Sequence, residues 1–332
     1  MAPQPLLCYT QLVGQDKAKR LLGRALATDR VPHAYLFKGP EGVGKKLYSL
    51  GFGAAINCHD RSGPSACGIC SSCKKFSSGN HPDYTVVRPE KGAIKIGQVR
   101  QLCSDLTYPP YESEMRIVVV EDVHTMRPEA ANSLLKTLEE PPDNNLLILT
   151  AESSQEVLPT LISRCQVVPF FRLPDNATAT ILVDKGVEPE NATLLARLSE
   201  GSPGRALVLD KFKLIELLKK ILAVLSHKHD ERNSPILTVL ELAEEMAKLK
   251  ENLVYLLGFL RIWIRDQLVD LQNGEAGTEN ISHILQMDST ELKSWSSKQL
   301  FAKLRAIDGA EKALGRNCNR MLVCEVLLFK LQ

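Results

Sequence analysis

The stretch Ala34-Tyr35-Leu36-Phe37-Lys38-Gly39-Pro40-Glu41-Gly42-Val43-Gly44-Lys45-Lys46 decides the fold. Its first four residues are an unbroken apolar run, the mark of a short buried strand, and the residues after Lys45 read as an apolar helix through Ile56. Between them Gly39, Gly42, Gly44 and Lys45 match the G-x-x-x-x-G-K spacing of a phosphate-binding loop, with strand before and helix after as that motif requires. Glycines let backbone N–H groups curl around phosphate oxygens, and the helix N-terminus favours an anion. Lys45 is expected to reach the outer phosphates of ATP or ADP. The next motif position calls for Ser or Thr, whose hydroxyl ligates magnesium. Here it is Lys46, which has no lone pair to give a cation and repels one. Mg2+ is therefore expected to be poorly held.

Working outward, Ile117 to Val120 and Leu146 to Leu149 are two more apolar runs, separated by helical segments. Such runs suit a parallel sheet covered on both faces. The expected architecture is an α/β P-loop core over 1–172, a small helical domain over 173–210 and an all-α domain over 211–332. Short helices are expected between Asn176 and Leu207, divided by Gly186, Pro189, Gly201 and Pro203. Beyond Lys211 the pattern is helical, with one long amphipathic piece from Pro235 to about Leu271, a loop at 273–280 and further helices to Gln332. Leu242, Met246, Leu249, Leu253, Leu256 and Leu260 form an apolar stripe that reads as core. Lys211, Lys213, Lys219 and Lys220 read as a solvated face.

The run at 117–120 ends in Glu121-Asp122. Nucleotide-hydrolysing folds place a metal-binding Asp and then a water-polarising Glu at such a strand end; the order here is inverted. A displacement of about 1 Å at a reacting centre costs on the order of a hundredfold in rate. Weak or absent intrinsic ATPase is the expectation.

Four of the nine cysteines, Cys58, Cys67, Cys70 and Cys73, stand as C-x8-C-x2-C-x2-C in a Gly/Ser-rich insertion over about 58–80 that has no period. Four thiolates can close a tetrahedron around a structural Zn2+ and staple a loop too polar to fold unaided. An iron–sulfur cluster or redox disulfides are the alternatives. His59 and His81 flank the insertion, His59 as a substitute ligand or, more simply, a bystander. Cys8, Cys103, Cys165, Cys318 and Cys324 are isolated and are expected in buried packing.

Composition narrows the function. Lys+Arg 41 against Asp+Glu 39 gives a formal charge of +2, which exerts no global pull on nucleic acid, and 5% aromatic residues make no stacking platform. The first seventeen residues, MAPQPLLCYTQLVGQDK, lack a signal-peptide pattern, and Leu253 to Val269 is broken by Arg261, Arg265 and Asp266. A cytoplasmic protein without a membrane span is expected.

Several longer segments resemble one family. Asn132 to Pro142 (NSLLKTLEEPP), Ser163-Arg164-Cys165 after Leu158-Pro159-Thr160, Gly201 to Leu207 (GSPGRAL), Val13-Gly14-Gln15 and Pro32 to Leu36 resemble, in order, motifs of the clamp-loader subunits of bacterial DNA polymerase III, an AAA+ family. Leu314 to Leu322 (LGRNCNRML) is similar to the last helix of the family's collar domain. The resemblance implies that Arg164 reaches across a subunit boundary to a neighbour's ATP, and that Arg205 begins a lid helix that touches nucleotide in its own chain. Arginine suits a finger because its planar, permanently charged fork holds two oxygens at once. The family's zinc modules favour zinc at the four cysteines. Its partners are gamma/tau and delta subunits in a hetero-pentamer, the sliding clamp, and primer-template DNA through the assembly. Where gamma and tau carry a phosphate-sensing Thr pair, this sequence has Ala151 and Glu152 after Thr150. That departure, Lys46 and the inverted acids set it with the family's delta-prime branch rather than with an active gamma-like ATPase. A tau subunit is disfavoured as well, since no long C-terminal extension follows. A zinc-dependent DNA-binding protein outside replication is disfavoured by the near-neutral charge.

Overall fold

The computed structural model describes residues 8–60, 63, 65–90, 92–153, 155, 157–226, 235–273, 281, 285 and 295–332. In chain order the first part comprises α1 (Asp16–Ala27), β1 (Ala34–Lys38), α2 (Lys45–Ile56), α3 (Ser71–Ser78), β2 (Tyr84–Val87), α4 (Ile96–Asp105), β3 (Arg116–Val120), α5 (Pro128–Glu139), β4 (Asn145–Ala151), α6 (Pro159–Ile162) and β5 (Gln166–Pro169). The apolar runs are strands because both faces are covered. Ala34 and Leu36 of β1 pack into one core with Val118, Val120, Leu147 and Leu149, while Tyr35 and Phe37 join Ile117, Val119, Leu146 and Ile148 in a second core on the opposite face. Helix α1 and the apolar side of α2 close that second core through Leu22, Tyr48 and Phe52.

The five strands are parallel in the order β2-β3-β4-β1-β5. Lys38 pairs with Ala151 and Val120 with Leu149, so β1, β3 and β4 finish side by side. The loops that follow them open at the carboxyl edge of the sheet, where open α/β folds bind ligands. β2 and β5 are edge strands of four residues with half-covered side chains. The insertion at 58–80 is not aperiodic throughout: its second half is α3, whose N-terminus is capped by the Cys70 sulfur.

The chain divides into two compact units, one of residues 1–181 and 200–204, the other of 182–199 and 205–332. The remaining helices are α7 (Asp175–Asp184), α8 (Pro189–Leu198), α9 (Pro203–Lys211), α10 (Leu214–Ser226), α11 (Pro235–Lys248), α12 (Leu253–Asn273), α13 (Ser297–Gly315) and α14 (Arg320–Leu331). In the second unit α11 packs on α14, α12 on α13 and α13 on α14. Trp263 is fully buried there, edge-on to Trp295 at 5.4 Å.

Three expectations change. The piece from Pro235 to Leu271 is two helices, because the chain breaks at Lys250, whose φ of 53° no α-helix continues. All six stripe residues are buried nevertheless. Residues 314–322 are not one helix: they span the end of α13, a turn at 316–319 and the first turn of α14, where the Asn319 side chain accepts the Leu322 N–H at 3.3 Å. Of the isolated cysteines, Cys324 is buried, Cys8, Cys103 and Cys165 are half-buried, and Cys318 is exposed. The start of the chain (1–7) and the loop residues 274–280 lie outside the described residues. Among the described residues no helix is long and apolar enough to cross a membrane.

Candidate functional site

The phosphate loop joins β1 to α2. Gly44 precedes α2 with a φ of 106°, a left-handed value that residues with a side chain rarely adopt. Gly39 donates its N–H to the Ala151 carbonyl at 3.1 Å, tying the start of the loop to the end of β4. Lys45 is buried; its Nζ donates to the carbonyls of Gly39 and, at 2.9 Å, Pro40. Burial pulls its pKa down, while Glu152, Asp122 and Glu41 act to raise it. The segment 201–204 lies directly on the loop. Gly204 N–H donates to the Gly42 carbonyl at 2.9 Å and Ser202 Oγ to that of Glu41 at 2.8 Å. A Cβ at Gly204 would stand 2.7 Å from the Gly42 Cα, so only glycine allows this approach.

Lys46, the residue at the hydroxyl position, turns to the end of β3. Its Nζ is 2.6 Å from Glu121 Oε2, and Arg88 Nε is 3.3 Å from the same oxygen. The Glu121 side chain is 4% exposed, whereas those of Lys46 and Arg88 are 64% and 68% exposed. A carboxylate buried to this degree requires charge partners, and both come from the protein. Asp122 follows in a left-handed conformation with φ 53°, its N–H donating to Thr150 Oγ1 at 3.1 Å. The hydroxyl of Thr150 thus serves the Asp122 backbone, and Glu152 stands exposed beyond it. The structure gathers the loop, Glu121 and Asp122 at one sheet edge.

Arg164 follows α6, before β5. Nη1 donates to the Thr160 carbonyl at 3.0 Å and lies 3.2 Å from Ser163 Oγ, and Nη2 donates to Glu139 Oε1 at 2.5 Å. Its side chain is 33% exposed. These contacts engage at most three of the five guanidinium donors. Beside it, burial pushes the Cys165 thiol up to about 12. Arg205 belongs to the second unit, where its guanidinium lies 5.6 Å from the Tyr255 ring centre and 5.4 Å from that of Phe259.

The Sγ atoms of Cys58, Cys67, Cys70 and Cys73 all lie within 4.8 Å of one another, with 3.9 Å between Cys67 and Cys73 and 3.6 Å between Cys58 and Cys73. Sulfurs at about 2.3 Å from a common centre in a tetrahedron have edges of about 3.8 Å, so the donor set fits a thiophilic tetrahedral ion. The N–H groups of Cys67, Cys70 and Cys73 point at the sulfurs of Cys58, Cys67 and Cys70 at 3.3, 3.4 and 3.4 Å, geometry that favours thiolates. Burial acts to raise the Cys70 thiol, but hydrogen bonds from the backbone of Cys73 and His59 and from the side chains of Cys73 and Cys67 outweigh it and bring it down to about 6. Neither histidine is in this cluster. His81 instead stacks on Phe76 at 4.1 Å, beneath α3, with Nε2 3.3 Å from Ser72 Oγ.

Sequence reasoning missed Arg88, Glu139 and Asp83. Arg88 follows β2, an edge strand whose YTVV carries little signal. Glu139 lay inside the quoted LEEPP motif, but nothing local tied it to Arg164. Asp83 is fully buried and accepts the N–H groups of Tyr111, Glu112 and Ser113 at 2.6, 2.9 and 2.9 Å.

A phosphate loop after β1, acids after β3 and the order β2-β3-β4-β1-β5 define an AAA+ P-loop protein. Residues 14–174 match the family model described as DNA polymerase III, delta subunit. DNA polymerase III subunit delta' of Pseudomonas aeruginosa is 31% identical over 89% of this chain and 90% of its own length, and that of Bacillus subtilis is 29% identical over 96% of each. DNA polymerase III subunit tau of Escherichia coli is 30% identical over 60% of this chain and 32% of its own. The chain belongs to the delta' family of DNA polymerase III subunits.

Proposed function

We propose that the chain acts as the delta-prime-type member of the DNA polymerase III clamp loader, supplying Arg164 in trans to the ATP site of a neighbouring gamma/tau subunit while hydrolysing little or no ATP itself. The observation that carries this is a contrast of placement. The home carboxylate, Glu121, is buried and already occupied by Lys46 at 2.6 Å, whereas Arg164 remains at the surface with donors to spare. An external oxyanion can take up those donors, and Glu139 fixes the side from which they are offered. Fingers supplied in trans contribute about 10³–10⁵ in rate in NTPases of this kind.

In this reading 1–172 is the nucleotide-binding core, 173–210 the lid and 211–332 the collar that joins gamma/tau and delta in a hetero-pentamer. The assembly loads the sliding clamp onto primer-template DNA in the cytoplasm, at the replisome on the nucleoid. Cys58, Cys67, Cys70 and Cys73 would hold zinc, which with four protein ligands leaves no open position and is structural. Gly39, Gly42, Gly44 and Lys45 would contact a bound nucleotide.

Co-purification with candidate gamma/tau and delta subunits, together with ATP hydrolysis by the isolated chain, tests this. Stable association and negligible turnover are expected. Robust magnesium-dependent turnover by the isolated chain would instead make it a gamma-like motor.

A further inference from the structure

The ion pair at the mouth of the phosphate loop has a consequence for what the loop binds. In a hydrolysing P-loop protein a divalent cation sits between the loop hydroxyl and the acid at the end of the metal-binding strand. Here the hydroxyl is replaced by the Lys46 ammonium, and that ammonium lies 2.6 Å from the corresponding acid, Glu121. Arg88 approaches the same oxygen at 3.3 Å from the opposite strand neighbour, β2. Two protein cations, each singly charged, therefore stand on the carboxylate where an ion of charge two would be held. Magnesium demands near-octahedral oxygen ligands and gives up its waters reluctantly; this site offers it one carboxylate oxygen already shared by two cations.

The positive charge that neutralises phosphate is nonetheless present. Lys45 is buried in the loop with its Nζ on the Gly39 and Pro40 carbonyls, contacts a phosphate oxygen can replace. Lys46 and Arg88 are mostly solvent-exposed, and each has more donors than its one contact to Glu121 uses. We infer that the loop binds the phosphates of a nucleoside di- or triphosphate without a divalent cation, Lys46 and Arg88 taking the place of the metal. This rests on the reading above of a subunit that holds its own site idle. It adds that the idle site is a metal-independent nucleotide receptor, so that occupancy does not follow the magnesium concentration.

The test is binding of a fluorescent N-methylanthraniloyl-ADP to the isolated, folded chain by anisotropy, in excess EDTA and in millimolar Mg2+. Dissociation constants within about twofold of each other are expected for the natural sequence. Lys46→Thr, which restores the hydroxyl and removes the nearer of the two cations on Glu121, should bind at least about tenfold more tightly with Mg2+ than with EDTA. Circular dichroism checks that the variant is folded, and Arg88→Ala serves as a second variant, expected to weaken binding in EDTA without creating a magnesium requirement. Tightening of about tenfold or more by Mg2+ in the natural sequence overturns the proposal, and so does the absence of saturable binding in both conditions. Neither result touches the role of Arg164, which is read in the assembled complex.

Discussion

Replacing Lys46 by Met removes the ammonium and keeps the length and apolar stem of the side chain, so its effect isolates the charge. Glu121, whose side chain is 4% exposed, would be left with Arg88 at 3.3 Å as its charge partner. Breaking a fully buried pair by removing one member costs about 3–5 kcal/mol. The cost here is smaller, because Lys46 is itself 64% exposed and Arg88 stays, which puts it at about 1–2 kcal/mol. In a unit of this size that lowers Tm by roughly 4 °C. Glu121→Gln should cost less, since the ammonium it strands is already in water. The double variant Lys46→Met/Glu121→Gln should recover part of the loss, giving a coupling of about 1 kcal/mol in urea denaturation. Single effects that add to within about 0.3–0.5 kcal/mol would show that the two charges do not act on each other, and the internal-cation argument would fall.

The cysteine cluster should carry about one zinc per chain. Removing it with a chelator, or substituting Cys73→Ser, should speed amide exchange across residues 65–78 while leaving the sheet protected; a metal-free protein with that segment still protected would exclude a structural metal. Asp83→Asn should cost about 2 kcal/mol at neutral pH, because three N–H groups lose a charged acceptor. Burial acts to raise the Asp83 carboxyl, but the N–H groups of Glu112, Tyr111 and Ser113 outweigh it and leave its pKa lowered. The unfolded chain therefore takes up the proton first, so the stabilisation is complete above about pH 4 and is lost on acidification below that. The gap between the two proteins should be constant from neutral to mildly acidic pH and close only in stronger acid; a gap that widens as pH falls would contradict it.

The central sheet was legible because its three inner strands are continuous apolar runs, a pattern that only two-sided burial explains. The edge strands were not, since Tyr84–Val87 and Gln166–Pro169 are short and half-covered, and their composition is shared with loops. Helix α3 was hidden for a different reason: its short Ser- and Lys-rich sequence has one large apolar residue, Phe76, and is anchored by it and by the cysteines around it. The break at Lys250 was invisible because the apolar stripe continues in phase across it. At the site, the phosphate loop, the acid pair and the four cysteines could be picked out from spacing and Arg164 from the family resemblance, but their pairing could not. Lys46 at the start of α2 meets Glu121 just after β3, and Arg164 just after α6 meets Glu139 at the end of α5, contacts set by the tertiary fold and not by sequence distance. The sequence showed that Lys46 could not ligate a metal; only the geometry places its ammonium beside the acid.

The most direct measurement is ATP turnover by the reconstituted gamma/tau–delta assembly containing this chain either unaltered or as Arg164→Ala, with DNA and clamp present. Assembly should be unaffected, because the arginine's partners are Thr160, Ser163 and Glu139 of its own chain. Hydrolysis at the site it completes should fall by about a thousandfold or more. Equal turnover by the two assemblies would mean that Arg164 serves only its own surface.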